Sequence, residues 1–165
     1  AEADLQKSGM QWVIPRNGLY LEFDVAHIVN ADSDGGIFRN NGGDGRCGYI
    51  TRDEIAFATA KLALNEHHNG KIYNLVGDCH TQAELVAMVN DVYGTNVRYE
   101  AISDEECFAK LEPVRGEMVA NMLTGCYQCI RNGAYEVPSD YQAAADRPAK
   151  SIKEQIVAIK SGSGE

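Results

Sequence analysis

Four segments of the sequence carry the same helix-start pattern, a Ser or Thr followed three residues later by Glu. This pattern is a capping box, in which the hydroxyl and the carboxylate each satisfy a free backbone amide of the first helical turn. The four patterns begin at Thr51, Thr81, Ser103 and Ser151. Short apolar runs such as residues 71–76 lie between them and predict strands. Strands separated by helices of roughly 12–18 residues pair in parallel through helical crossovers, so the sequence predicts an α/β fold.

Apolar runs and helix-start and helix-end signals divide the rest of the chain into strands and helices. Besides 71–76, the predicted strands are 10–14, 37–39, 47–50, 97–102 and a short extended piece at 134–137. Four of the predicted helices open at the capping boxes. The others are 1–8, 20–31, 114–131 and a turn or two at 139–145. Pro113 is expected to separate the helix that opens at Ser103 from the next one. The last helix is expected to end near residue 160, which leaves a single domain over 1–160 and a flexible tail at 161–165.

Residues 12–22 have the layout of a ligand site at the end of a strand. A buried strand at 12–14 is expected to end in a polar break formed by Arg16, Asn17 and Gly18, and a helix follows. In open α/β sheets, ligands bind where strands end and helices begin, so this break is expected to line a crevice. The alternative is an ordinary turn at Asn17-Gly18 beside a surface arginine.

The composition is that of a globular protein. Hydrophobic residues make up 44% of the 165 residues, and the formal net charge is −9. An acidic surface repels phosphate backbones, so nucleic acid is not an expected partner. No apolar run approaches the ~20 residues that span a bilayer, and no secretory leader is recognisable. Because the sequence does not begin with Met, we expect a processed, trimmed or excised piece.

The five cysteines are irregularly spaced, which favours reduced thiols in a cytoplasmic protein over a disulfide scaffold. Cys126 and Cys129 have the Cys-x-x-Cys spacing, but no second ligand pair of matching spacing accompanies them. They share an apolar stripe with Val119 and Met122, so core packing is favoured over zinc or redox chemistry. The four histidines could act as general bases, but none has a partner evident in the sequence, so an ordinary structural role is favoured for each.

Nucleophile and phosphate-binding signatures are missing from the sequence. It has no Gly-x-Ser-x-Gly elbow, no P-loop and no Gly-x-Gly-x-x-Gly that opens a helix. The glycine-rich segment 42–45 is interpreted as a loop, because a helix does not follow it directly. No catalytic residue and no metal ligand can be assigned from the sequence.

Four stretches, taken in order, resemble one known family. Residues 8–22 read SGMQWVIPRNGLYLE, and residues 45–56 read GRCGYITRDEIA. Residues 70–77 read GKIYNLVG, and 97–99 lead into the capping box at 103–106. Together they resemble the NmrA-like atypical short-chain dehydrogenase/reductases, and within these the type 2 NAD(P)H:quinone oxidoreductases. The resemblance covers nearly the whole chain but only the C-terminal half of the family's fold.

This resemblance implies a fold and a set of site residues. The fold would be the C-terminal half of a Rossmann-like doubly wound sheet, with a small helical subdomain on the substrate side. Arg16, Asn17 and Gly18 would face the cofactor, which is NADP or NAD in the family. Tyr20 and Gly43 would line the substrate cleft, bordered by the helix after Pro113. The half that carries the dinucleotide loop is not matched, so the chain alone is expected to bind the cofactor weakly or not at all.

Two functions follow from the resemblance. The first is a fragment or divergent relative of an NAD(P)H-dependent quinone oxidoreductase that supplies the substrate-side cleft and is inactive alone. The second is a non-catalytic module that binds or senses a small molecule, expected as a dimer. In either case the edge of the 12–14 strand would need a partner, because unpaired edges invite association. A second copy, a separately supplied N-terminal half or a rebuilt local fold could cover it. A zinc protein built on Cys126 and Cys129 is the third hypothesis.

Overall fold

The computed structural model describes residues 1–162 of the chain. The helices are α1 Glu2–Lys7, α2 Leu21–Ser33, α3 Arg52–Ala63, α4 Gln82–Tyr93, α5 Asp104–Arg115, α6 Glu117–Arg131, α7 Tyr141–Ala145 and α8 Ile152–Gly162. The strands are β1 Val13–Asn17, β2 Ile37–Asn40, β3 Arg46–Gly48, β4 Lys71–Leu75, β5 Cys79–Thr81 and β6 Arg98–Ala101. A single 3₁₀ turn, Glu66–His68, precedes β4.

The strands form three pairs. β1 runs parallel to β4 and β2 runs parallel to β6, the parallel pairing that the sequence predicts, but other strands as well as helices lie between the two members of each pair. β3 pairs antiparallel with β5. The sequence around His80, in β5, predicts only a loop. Among residues 1–162, β4 is the only strand that pairs with β1, so the opposite edge of β1 has no strand beside it.

Two apolar clusters stabilise this arrangement. The smaller one joins β4 to α3 and α7 through residues such as Leu75, Ala58 and Tyr141. The larger one gathers α2, α4 and α8 around β2 and β3, with Ile28 and Leu85 fully buried. The stripe of α4 predicted from the sequence, which begins at Leu85, lies against this larger cluster. α2 therefore packs by one face into the core and can present its other side to a ligand.

Three of the four predicted capping boxes form as expected. At Thr81, Ser103 and Ser151 the hydroxyl accepts from the amide three residues on, and the Glu carboxylate accepts from the amide of the capping residue. At Thr51 only the first bond forms. The buried carboxylate of Glu54 forms an ion pair with the partly exposed Arg147 instead, so the reciprocal bond predicted there is wrong.

Three predicted boundaries also need correction. β1 continues through Arg16 and Asn17, because backbone pairing with β4 does not depend on the polarity of the side chains. Pro113 lies inside α5 rather than between two helices, and Gly116, with φ of +79°, makes the break. Helix α8 extends to Gly162, two residues beyond the predicted end, and the rest of the predicted tail lies outside the described residues. No helix in the described chain has the length and apolar character to cross a membrane.

Candidate active site

A cavity of about 420 Å³ lies between α2 and α6, and we call it the α2–α6 cavity. The β1–α2 turn, α2, α5, α6 and Tyr49 contribute its walls. The lining residues are Asn17, Gly18, Leu19, Tyr20, Phe23, Asp24, His27, Tyr49, Arg115, Val119, Met122, Leu123, Cys126 and Tyr127. Most of this surface is apolar, which is the character expected of a site for a small organic molecule.

The β1–α2 turn is held in place by close approach to the chain after β3. Leu19 accepts a hydrogen bond from the amide of Ile50 (3.1 Å), and the amide of Leu21 donates to the carbonyl of Ile50 (3.1 Å). A Cβ atom at Gly18 would lie 2.5 Å from the carbonyl oxygen of Gly48. Only glycine fits there without movement of the backbone, so this position is fixed by packing as well as by its place in the cavity wall.

Two aromatic rings and one helix face form the apolar part of the cavity. The rings of Tyr20 and Phe23 stack with centroids 6.1 Å apart, and both side chains are exposed. On α6 the same cavity is lined by Val119, Met122 and Leu123. Flat aromatic surfaces facing flexible aliphatic side chains suit a planar ring.

The polar groups of the cavity centre on Asp24, which is 6% exposed. Its Oδ2 accepts a hydrogen bond from the hydroxyl of Tyr49 (2.6 Å), and its Oδ1 accepts from the hydroxyl of Tyr127 (2.7 Å). Burial raises the pKa of Asp24, and the two tyrosine hydrogen bonds oppose that rise only in part. Burial and the neighbouring carboxylate raise the pKa of both tyrosines well above the ordinary value. The ionised form of this carboxyl group is therefore less favoured than that of an exposed aspartate.

A chain of buried amides extends from this cluster toward the loop after β2. The side-chain amide of Gln82, which is fully buried, donates to the Tyr49 hydroxyl (2.7 Å). Asn40 donates to the carbonyl oxygen of Gln82 (3.0 Å) and accepts from the hydroxyl of Tyr99 (3.0 Å) and the amide of Gly42 (2.8 Å). Because every member has a partner, the network fixes the position of Tyr49.

Two further polar side chains line the cavity. His27 follows Asp24 by one turn of α2 and is half-buried. Arg115, at the end of α5, is the one Lys or Arg among the lining residues of the described chain. They are the basic side chains of an otherwise largely apolar lining.

The five site residues predicted from the sequence do not all lie together. Asn17, Gly18 and Tyr20 line the α2–α6 cavity. Arg16 does not, and its guanidinium forms a two-pronged exposed ion pair with Glu2 (2.6 and 3.0 Å). Gly43 lies elsewhere, with its Cα facing the side chain of Arg131 near a second, polar cavity. The cofactor and substrate roles of these residues stay predictions.

The apolar stripe predicted on α6 has a different role from the one expected. Ala120, Thr124, Tyr127 and Ile130 are the buried residues of this helix. Val119, Met122 and Cys126 line the cavity instead, because α6 closes the cavity with that face. Cys129 is exposed, so the prediction that both thiols pack in the core is wrong. Among residues 1–162 no cluster of three or more His, Cys, Asp or Glu could hold a metal ion.

The sequence interpretation missed Asp24, Tyr49 and Tyr127. One signal could have found the first of them. Leu21, Asp24, Val25 and Ile28 are spaced i, i+3, i+4 and i+7, which places a carboxylate on the buried face of α2. An ionisable group on a buried face requires partners, and such groups concentrate at functional sites.

Comparison with proteins of known identity gives one match by sequence. No protein-family profile matches the chain. Quinone oxidoreductase 2 of Escherichia coli strain K12 is 33% identical over 161 residues, which covers 94% of this chain and 55% of that protein. The chain therefore spans about half the length of the curated relative it matches.

Solved structures give the same picture. The NADPH complex of the E. coli NADPH-dependent quinone oxidoreductase superposes with a TM-score of 0.88 at 28% identity, over 96% of this chain and 57% of that one. Triphenylmethane reductase of Citrobacter sp., complexed with NADP(H), gives 0.83 at 28% identity, over 95% and 55%. A nucleoside-diphosphate-sugar epimerase from Staphylococcus aureus gives 0.85 at 23% identity, over 95% and 56%, and supports the fold alone. The predicted Rossmann-like α/β fold class is confirmed.

Proposed function

Because the chain is homologous to NADPH-dependent quinone oxidoreductase 2 and to the NmrA-like reductases, we propose that it forms the substrate-side wall of an NAD(P)H-dependent quinone reductase. The observation that carries the proposal is the α2–α6 cavity itself. It combines stacked aromatic rings, an aliphatic helix face and buried hydroxyl and carboxyl groups. A quinone has the complementary chemistry, a flat apolar ring with two carbonyl oxygens.

The parts of the cavity would have separate tasks. Tyr20 and Phe23 would hold the quinone ring against α6, while Tyr49 and Tyr127 would lie near a carbonyl oxygen. Asn17 and Gly18, at the carboxyl end of β1, would face the nicotinamide, which supplies a hydride when the cofactor is bound. Arg16 would contribute to the cofactor side only after leaving its ion pair with Glu2.

Filling the cavity from α6 should weaken quinone binding. Val119 is half-buried and lines the cavity, so Val119→Trp would place an indole in the space of the ligand. Calorimetric titration of the full chain with duroquinone is expected to show at least about tenfold weaker binding than the native chain. Duroquinone has no free ring position, so cysteine thiols cannot add to it.

Met118→Trp is the matched control for this experiment. Met118 precedes Val119 on the same helix, is 82% exposed and does not line the cavity. This variant is expected to bind duroquinone as the native chain does. Equal binding by both variants would place the quinone elsewhere and overturn the proposal.

The cofactor itself is expected to bind this chain weakly or not at all. Residues 43–48 have the Gly-x-Gly-x-x-Gly spacing, but they run into β3 and open no helix, so the phosphate site of dinucleotide-binding folds is not formed there. Calorimetry with NADPH, NADH and the isolated chain is expected to show no binding at micromolar concentration. A dissociation constant in the micromolar range would contradict this part of the proposal and would require a phosphate site of a different kind.

The free edge of β1 favours a partner chain, and we propose either an N-terminal half or a second copy of this chain. A non-catalytic, dimeric small-molecule binder is the second candidate function, favoured by the same free edge. A tight dimer that binds duroquinone but stays inactive when an NADPH-binding half is supplied would select it. We place the protein in the cytoplasm, since all five of its cysteines are unpaired.

A further inference from the structure

The hydrogen bonds around Asp24 have a fixed direction. The backbone amide of Gly42 can only donate, so the Asn40 atom that it contacts at 2.8 Å is an oxygen. The other end of Asn40 is then the nitrogen, which donates to the oxygen of Gln82 (3.0 Å). Gln82 in turn donates its own amide to Tyr49 (2.7 Å). Because the Tyr49 oxygen accepts that bond, its own hydroxyl proton is donated to Oδ2 of Asp24 (2.6 Å).

This direction restricts where Asp24 can carry a proton. Oδ2 always accepts from Tyr49, so a proton on the carboxyl group must reside on Oδ1. Oδ1 lies 2.7 Å from the hydroxyl oxygen of Tyr127. When Asp24 is ionised, Tyr127 donates to Oδ1. When Asp24 is neutral, Oδ1 donates to Tyr127, and the hydroxyl proton of Tyr127 is released from that bond.

The released proton needs another acceptor. Asp24 and Tyr127 both line the α2–α6 cavity, and Asp24 is the only hydrogen-bond partner found for the Tyr127 hydroxyl within residues 1–162. Turned away from Asp24, the hydroxyl can donate to a ligand oxygen in the cavity. The orientation of Tyr127 is thus coupled to the protonation of a buried carboxyl group.

We propose that Asp24 and Tyr127 are a proton-delivery pair that protonates a quinone oxygen, a role that rests on the function proposed above. A nicotinamide held with the help of the partner half would supply a hydride, and the quinone would become a hydroquinone anion. Its oxygen takes the hydroxyl proton of Tyr127, while Tyr127 takes the Oδ1 proton of Asp24. Asp24 ends ionised, with both tyrosines donating to it, and regains a proton from solvent. The sum is one hydride and one proton added to the quinone.

The surroundings of Asp24 favour this cycle. Its burial raises its pKa, so the neutral form persists to higher pH than for an exposed aspartate. The titratable or charged groups near Asp24 come from several elements. They are His27 on α2, Cys47 on β3, Tyr49 directly after β3, Cys126 and Tyr127 on α6, and Arg115 on α5. Of these, His27 lines the cavity one turn of α2 from Asp24, so it is the competing source of any pH dependence.

Ligand binding tests the pair without requiring turnover. Calorimetry measures the affinity of the native chain for duroquinone from about pH 4 to about pH 9. The affinity is expected to fall about three- to tenfold as pH rises, because ionised Asp24 accepts the Tyr127 hydroxyl proton, which is then no longer donated to the ligand. Durene has the same ring and methyl groups without the oxygens, and its affinity is expected to stay constant over this range.

Three variants assign the effect. Asp24→Asn places an amide nitrogen at the Oδ1 position and so mimics the neutral acid. At every pH it is expected to bind duroquinone with the affinity that the native chain has at low pH. Tyr127→Phe removes the hydroxyl donor, so at every pH it is expected to bind duroquinone with the weaker affinity that the native chain has at high pH. Its affinity for durene is expected to be unchanged. Tyr73→Phe removes a buried hydroxyl bonded to His68, outside the cavity, and is expected to behave as the native chain.

Each outcome decides one of the two proposals. If duroquinone and durene both bind but the native profile is flat, or if the pH dependence survives in Asp24→Asn, the proton-delivery pair is wrong and the quinone site stands. If neither compound binds the native chain at any pH, the quinone site is wrong and the pair falls with it. The native profile needs no substitution, so a variant that fails to fold does not remove the test.

Discussion

Gly18→Ala is expected to lower the free energy of unfolding by about 3 kcal/mol, which corresponds to a fall in Tm of about 10 °C. The new Cβ would lie 2.5 Å from the carbonyl oxygen of Gly48 and 3.1 Å from Cγ1 of Val76. The oxygen cannot easily retreat, because Gly48 is paired in β3 and its amide donates to Tyr135 (3.3 Å). Urea unfolding followed by circular dichroism measures the loss.

Gly125→Ala is the matched control, since it makes the same chemical change in the middle of α6. No atom lies within 4 Å of a Cβ built at Gly125. Alanine is expected to raise the free energy of unfolding there by about 0.5–1 kcal/mol, because it restricts the unfolded chain and favours the helix. If Gly18→Ala keeps full stability but loses ligand binding, the glycine serves the ligand and not the packing of the turn.

Local patterns predicted much of the fold and part of the site. A capping hydroxyl and its partner carboxylate are three residues apart, so Thr81, Ser103 and Ser151 reveal helix starts without any knowledge of the fold. The polar residues at the carboxyl end of β1 likewise predicted that a ligand crevice lies where this strand leads into the next helix. Asn17 and Tyr20 line the cavity for that reason.

The polar cluster could not be predicted in the same way, because its members are distant in sequence. Asp24 and Tyr49 are 25 residues apart, and Asp24 and Tyr127 are 103 apart. Tyrosine in a strand or an amphipathic helix is ordinary, so neither residue signals a partner by itself. Only the tertiary structure, which brings Tyr49 and Tyr127 to Asp24, identifies the two hydroxyls as partners of one carboxylate. The exclusion of Gly43 and Arg16 from the cavity is likewise a consequence of tertiary structure.

Glu54 shows how tertiary contacts can override a strong local pattern. Its carboxylate accepts two hydrogen bonds from the guanidinium of Arg147 (2.8 and 3.0 Å) and one from the hydroxyl of Tyr141 (2.6 Å). The side chain is 4% exposed, whereas the carboxylate in a capping box stays near water. The guanidinium also lies 4.3 Å from the ring centre of Phe57. This cluster joins α3 to α7 and the segment that leads to α8.

Arg147→Met is expected to destabilise the chain by about 2 kcal/mol at pH 7, because it leaves the buried Glu54 carboxylate with only Tyr141 and the more distant Lys150. The value is below that of a fully buried pair, since Arg147 is 33% exposed and solvent screens it. Lys153→Met is the control. It breaks a pair with Asp91 in which both side chains are about 60% exposed, and should change stability by less than about 0.5 kcal/mol.

The acid side of the stability curve tests the same contact independently. Burial acts to raise the pKa of Glu54, but the hydrogen bonds from Arg147 and Tyr141 outweigh it, so the pKa lies below the ordinary value. A lowered pKa contributes stability above the unfolded value of about 4.3, and that stability is lost as pH falls through the folded value. The difference between the native chain and Arg147→Met should therefore be full at pH 7 and shrink below about pH 4. A difference that persists undiminished in acid would mean that Arg147 stabilises the fold through its contact with Phe57 and not through the carboxylate.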